Sequence, residues 1–303
     1  MKKPKLKPIS EQVIVITGAS SGIGLATARL AAERGAKVVL AARSEEVGAE
    51  IADQLSVGRG KAIFIPCDVS DRDQVERLAA ETIERFGRID TWVNNAGVSI
   101  YGRLEEVSVE ESRRLFDTNF WGVYHGCLAA LPHLRRNGGA LINVGSEVSE
   151  AVIGFQGMYA ASKHAVKGLT DALRVEVQHI DEAPVSITLI QPGATDTPFP
   201  QHARNHMPRE PKLPTPLDNP VDVAEAILNA AVKPIRSKKV SALAKINTTT
   251  AKVAPGLGDK MAAMQAHRQQ YKEPPRNPEG ALEEASENVD GAGGERGSGG
   301  RTR

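Results

Sequence analysis

Six short runs of almost unbroken apolar and β-branched residues recur along the chain, at 12–17 ("QVIVIT"), 37–42, 61–66, 89–94, 140–145 and 185–190. A seventh, weaker run occupies 238–243 ("KKVSAL"). A strand with one wet face alternates polar and apolar residues; these do not, so they read as strands covered on both faces. Between them the apolar spacing changes to that of a helix. Over 71–86, Val75, Leu78, Ala79, Thr82, Ile83 and Phe86 recur every three or four positions. Ser70 stands where that helix needs an N-cap and Gly87 where it needs a stop. Strand and helix in strict alternation imply right-handed βαβ units, a parallel sheet and helices on both of its faces. The expected fold class is α/β, a doubly wound parallel sheet of seven strands, and no solenoid repeat is present.

Composition narrows the function classes. With 41% hydrophobic and 25% charged residues the chain is that of an ordinary globular protein. A formal net charge of +1 gives no reason to expect nucleic acid as a partner. No apolar run approaches the roughly 20 residues that span a bilayer. Cys67 and Cys127 lie inside apolar segments, which suits buried thiols in a reducing, cytoplasmic compartment better than a disulfide or a metal site. The basic start, residues 1–9 ("MKKPKLKPI"), reads as a solvated flexible terminus, with contact to an anionic membrane surface as the other option. Residues 10–255 form the expected domain and 256–271 a helical extension. Residues 272–303 hold almost no large apolar side chain, so disorder is expected there.

The first strand runs directly into "TGASSGIG" (17–24) and an apolar helix. Gly18 permits the tight turn, Gly22 lets backbone approach a pyrophosphate, and Gly24 allows close packing of helix on strand. The helix start offers unpaired N–H groups to an anion, and the hydroxyls of Ser20 and Ser21 can add to them. The second strand ends "LAARSEE". An acidic residue about 20 positions past the glycines would take ribose hydroxyls; Arg43 stands near that position instead, where a guanidinium suits a 2′-phosphate and favours NADP over NAD. Glu45 and Glu46 fit the first turn of the next helix, behind Ser44 as N-cap. Asp68 leaves the third strand on the same edge. Its carboxylate can accept from an adenine amino group, or it can bond its own turn. At "VNNAG" (93–97), Gly97 allows backbone to approach a ligand, and Asn94 and Asn95 can tie strands together.

In "GMYAASKHAVKG" (157–168) a scarce aromatic, Tyr159, precedes Lys163 by one helical turn, which puts both on one face. Together "TGASSGIG", "NNAG", "YAASK" and "PGATDT" stand in the order and spacing of the short-chain dehydrogenase/reductase family, which the chain resembles over about residues 10–255. The resemblance implies a catalytic set of Asn119, Ser146, Tyr159 and Lys163, and a homodimer or homotetramer packed through helices near 107–135 and 157–179. It also implies cofactor contacts from the glycine turn, including Ile23, and from Arg43, Asp68, Val69, Asn95, Ala96, Gly97, Tyr159 and Lys163. Pro192 and Gly193 would present backbone to the nicotinamide, with Thr195 and Thr197 on its carboxamide and the pyrophosphate. The chemistry is independently sensible. Reducing a ketone takes a hydride to carbon and a proton to oxygen, and a phenol of pKa about 10 is mismatched to neutral pH by about 3 pH units. A neighbouring ammonium stabilises phenolate, Ser146 can polarise the carbonyl, and Asn119 can hold a water leading to Lys163.

The expected activity is therefore an NADP-dependent transfer of hydride between nicotinamide and a ketone or secondary alcohol. A non-catalytic NADP-sensing protein is the rival reading. Two features depart from the family pattern. Gly145 replaces a frequent second serine, which should be tolerated. Glu147 and Glu150 stand where small or apolar residues are commoner, either solvated or attracting a cationic or polar substrate. The proline-rich 197–220 is too long for an idle connection and reads as a substrate lid.

Overall fold

A computed structural model defines the architecture for residues 4–57, 60–266 and 268–285. Seven strands, β1 (Val13–Thr17), β2 (Lys37–Ala42), β3 (Lys61–Pro66), β4 (Thr91–Asn94), β6 (Gly139–Val144), β7 (Val185–Gln191) and β9 (Ser237–Lys239), pair in parallel in the order β3-β2-β1-β4-β6-β7-β9. The order reverses at β1 and β4, so their carboxyl ends flank the crevice where open α/β sheets bind ligands. The remaining two strands, β5 (Ile100–Tyr101) and β8 (Arg204–Asn205), form a separate parallel pair.

Period-two burial divides the side chains of β1 between two cores. Ile14 and Ile16 face α1 (Gly22–Glu33) and α7 (Pro220–Val232), whose Leu25, Ala28, Ile227 and Ala231 complete one apolar layer with Ile51 of α2 (Glu45–Leu55). Val13 and Val15 face the other way. There they meet Leu78 of α3 (Arg72–Phe86), Val123 and Cys127 of α5 (Gly122–Asn137), and Val166 of α6 (Gly157–Arg174). Such a strand has no face left for polar residues, which is why its sequence is continuously apolar.

Helix α4 (Val109–Phe116) does not end before α5; a π-helical stretch, Asp117–Trp121, joins them. Three local expectations are corrected. The N-cap of α3 is Asp71, whose side chain accepts from the Asp73 and Gln74 amides, because Ser70 is engaged by Asp68 instead. The last strand is Ser237–Lys239, since Ser241 caps a further helix, α8 (Ala242–Val253), followed by α9 (Pro255–Ala266). The two ends also pack where looseness was expected. Ile9 is buried, Leu6 lies on the first core, and the Gln12 amide donates to Lys7 O at 2.7 Å. Residues 272–285 lie against the lid and the nucleotide edge, held by main-chain bonds that composition does not reveal. Residues 1–3 and 286–303 of those expectations lie outside the described residues.

Candidate active site

A cleft with about 230 Å³ of open space runs along the carboxyl ends of the sheet, from Arg43 and Asp68 past the glycine turn to Tyr159 and Phe199. Its floor fits a dinucleotide. Gly18 and Gly22 hold φ of +63° and +52°, a backbone that favours glycine, and a Cβ at Gly24 would stand 2.1 Å from Gly18 O. Helix α1 opens at Gly22 with no side chain capping it, which leaves N-terminal amides for an anion. Asn95 braces the turn: its Nδ2 donates to Thr17 O at 2.9 Å and Gly18 O at 3.1 Å, and its amide donates to Thr17 Oγ1 at 3.0 Å. Asn94 crosses to the next strand, donating to Asn143 Oδ1 at 2.8 Å. Ser20, Ser21, Ile23, Val69, Ala96 and Gly97 line the same cleft, as do Pro192, Gly193, Thr195 and Thr197. Thr197 packs opposite Gly22, where an added Cβ would come within 3.2 Å of it.

Three residues of the expected catalytic set, Ser146, Tyr159 and Lys163, line one end of the cleft, and the fourth, Asn119, lies behind Gly97. Asn119, fully buried within the π-helical stretch, accepts from Val98 N at 2.8 Å and donates to Val98 O at 2.9 Å and Ser162 Oγ at 3.0 Å. Gly97 is the spacer between it and the lysine. A Cβ there would be 3.3 Å from Asn119 Oδ1 and 3.6 Å from Lys163 Nζ. Ser146 follows β6, and its hydroxyl, which accepts from Val148 N at 3.3 Å, lies beside the Tyr159 phenol. Burial pushes that phenol up to about 12, the Ser146 hydroxyl opposes the rise, and the negative charge of Glu147 adds to it. Lys163, only 4% exposed, is pushed down to about 8 by burial alone. Its Nζ donates to Val144 O at 3.0 Å and stands 5.8 Å from the Tyr159 ring centre. The ammonium is thus anchored by backbone and lies near the phenol ring.

Three neighbours, Ser149, Phe199 and Asn247, were not legible in the sequence. Ser149 accepts from Ser146 N at 3.1 Å, and a Cβ at Gly145 would stand 2.8 Å from Ser149 Oγ, so the missing second serine makes room for this one. Its S-x-x-S spacing was the available signal. Phe199 of the lid packs on Tyr159 with ring centres 5.5 Å apart; nothing periodic marks it. Glu147 is half-buried rather than fully solvated. It lines the cleft, its Oε2 accepts from Asn247 Nδ2 at 2.9 Å, and burial pushes its carboxyl above the usual range. Asn247 lies on α8, a helix the sequence reading did not place. Glu150 is engaged by Lys239 at 2.8 Å and Gln191 at 3.1 Å, a structural role.

At the nucleotide edge, Asp68 accepts from Ser70 N at 2.9 Å and Ser70 Oγ at 2.7 Å, and from the Arg114 guanidinium at 2.9 Å. Desolvation opposes these bonds, which together hold its carboxyl below the usual range. Asp68 bonds its own turn and also stands on the cleft wall. The proline-rich segment 197–220 is pinned to the body: β8 pairs with β5, and Arg204 and His206 both reach Glu111 of α4, at 2.7 and 3.0 Å. Cys67 and Cys127 are buried thiols pushed up to about 12, and among the described residues no cluster of His, Cys, Asp or Glu could hold a metal.

Comparison with known proteins agrees with this architecture. The family model for short chain dehydrogenases matches residues 12–208, and the chain belongs to that family. An uncharacterized oxidoreductase of Bacillus subtilis, YxnA, is 46% identical over 288 residues, covering 93% of this chain and 81% of that protein. A 3β-hydroxysteroid dehydrogenase of Mediterraneibacter gnavus is 39% identical over 192 residues, covering 62% of this chain and 68% of its own. Among solved structures, an alcohol dehydrogenase from the archaeon Thermococcus sibiricus, complexed with 5-hydroxy-NADP, superposes with a TM-score of 0.66 at 33% identity, over 75% of this chain and 94% of that one. A short-chain dehydrogenase/reductase from Burkholderia phymatum in complex with NAD gives 0.75 at 28% identity, over 83% and 96%.

Proposed function

We propose that the protein is an NADP-dependent oxidoreductase that interconverts a ketone and a secondary alcohol, with Tyr159 as the acid/base. The observation that carries this reading is the convergence of Ser146, Tyr159 and Lys163, with Asn119 behind Gly97, at the end of a cleft whose glycine turn fits a dinucleotide. A bound nicotinamide supplies or accepts the hydride. Tyr159, pushed up to about 12, is protonated at neutral pH, the form that donates to the oxygen of a carbonyl being reduced. The Ser146 hydroxyl lines the cleft beside the phenol and is the second donor available to that oxygen. Lys163 holds a positive charge near the phenol, which lowers the cost of phenolate once the proton has left. Gly97, lacking a side chain, leaves space between Asn119 and the Lys163 ammonium in which a water can return the proton. NADP is favoured by Arg43 at the end of β2. The cytoplasm suits two unpaired thiols, and a homo-oligomer suits Trp121 and Leu128, 45% and 41% exposed along one helical face.

The test combines binding and turnover. NADPH and NADH are titrated by fluorescence, and alcohols are screened with wild type and Tyr159→Phe. Turnover in wild type and its loss by about 10³-fold or more in the variant, with cofactor affinity kept, is the expected result. Cofactor binding without turnover of any carbonyl or alcohol would favour the NADP-sensing alternative.

A further inference from the structure

The nucleotide edge of the cleft carries a component that its motifs do not contain. Residues 277–284 cross it as a strap, seated by main-chain and apolar contacts. Pro278 O accepts from Asn205 N at 2.8 Å, and Ala281 N donates to His202 O at 2.7 Å. Leu282, 2% exposed, packs among Val98, Ile100 and Leu115. Ala281 lines the cleft itself. The strap also takes hold of Arg43. Nη2 donates to Ala281 O at 2.7 Å and to Glu284 O at 3.2 Å, and Nη1 donates to Glu283 O at 3.1 Å. Glu283 reaches Arg114 at 3.6 Å, so the second guanidinium of this edge is engaged by the strap as well.

We infer that the strap is a cofactor-specificity element, an intrachain competitor that occupies on Arg43 the N–H donors a 2′-phosphate would use. The inference rests on the cofactor reading proposed above. Carbonyl and phosphate oxygens are both acceptors, so one N–H group serves one or the other. The carboxylates of Glu283 and Glu284 add negative charge at an edge where a phosphate would also be negative. A ribose 2′-hydroxyl carries no charge and makes no such demand on Arg43. Docking of the strap therefore weakens NADPH, by the fraction of molecules in which Arg43 is released, and leaves NADH nearly untouched.

Gly280 gives a way to loosen the strap without touching the cleft. It holds φ of +60°, and a Cβ there would stand 2.5 Å from the Ala203 backbone. In full-length Gly280→Val, the Kd for NADPH is expected to fall about tenfold or more while that for NADH stays within about threefold. Adding Arg43→Ala to this variant should abolish the gain. Leu282→Asp, which removes the apolar seat, should reproduce the shift, and faster trypsin cleavage at Arg276 reports release in both. Equal weakening of the two cofactors would make the strap a general wall of the pocket and overturn the inference. So would a released strap with no change in the NADPH-to-NADH ratio. Failure of wild type and variants to bind either dinucleotide would instead overturn the cofactor reading, and the inference with it.

Discussion

Lys163 shows how much one nitrogen position matters. Its spacing from Tyr159 invites a direct ammonium–phenol pair, yet Nζ is bound to Val144 O, because a buried ammonium takes the nearest fixed acceptor. The spacing was legible; the acceptor, supplied by a strand nineteen residues earlier, was not. The burial has a cost with a definite pH signature. In the unfolded chain this lysine titrates near 10.5 and in the fold near 8. Between those values the unfolded state binds the extra proton, so the penalty is full below pH 8 and disappears as pH rises to 10.5. It amounts to about 3 kcal/mol, less what the Val144 bond returns. Lys163→Met should therefore gain stability relative to wild type at pH 7, and denaturant titrations should show that gain shrinking through pH 8 to 10.5.

Elements were legible where burial makes a strong local pattern. Strands β1 to β3 carry near-continuous apolar runs, broken only at Thr17 and at the exposed Lys37 and Lys61, so sequence located them closely; β9 is an edge strand of three exposed or half-buried residues, and β5 and β8 are two residues each. Such short pieces are set by their partners and leave no pattern of their own. The N-cap of α3 fell to Asp71 because Ser70 is held by Asp68 and also accepts from Arg114 of α4, a contact no local rule contains. The packing of α1 on β1 is a feature that sequence did predict. With Gly18 O only 2.1 Å from any Cβ at position 24, Gly24→Ala should push the helix off the turn. We expect a stability loss of about 1–3 kcal/mol by thermal unfolding, with dinucleotide affinity falling in parallel.

For the molecule as a whole, Trp121 and Leu128 are seven residues apart and so share one helical face, exposed and apolar. If that face meets another copy of the chain, Leu128→Arg should lower the mass measured by light scattering to that of a smaller assembly, while Trp121→Ala should weaken it less sharply. An unchanged mass would remove the face from consideration. The same stretch of chain carries a second global constraint, in the π-helical turns of Asp117–Trp121. One residue more than an α-helix needs is stored there, and one residue corresponds to about 100° of rotation about the axis. Helices α4 and α5 are therefore out of phase: Leu115 points to the small cluster with Leu282, and Val123 to the sheet. Deleting any single residue between 117 and 121 would bring the two helices into one continuous phase and turn either Leu115 or Val123 towards water. Length, more than side-chain identity, is what this crankshaft cannot vary.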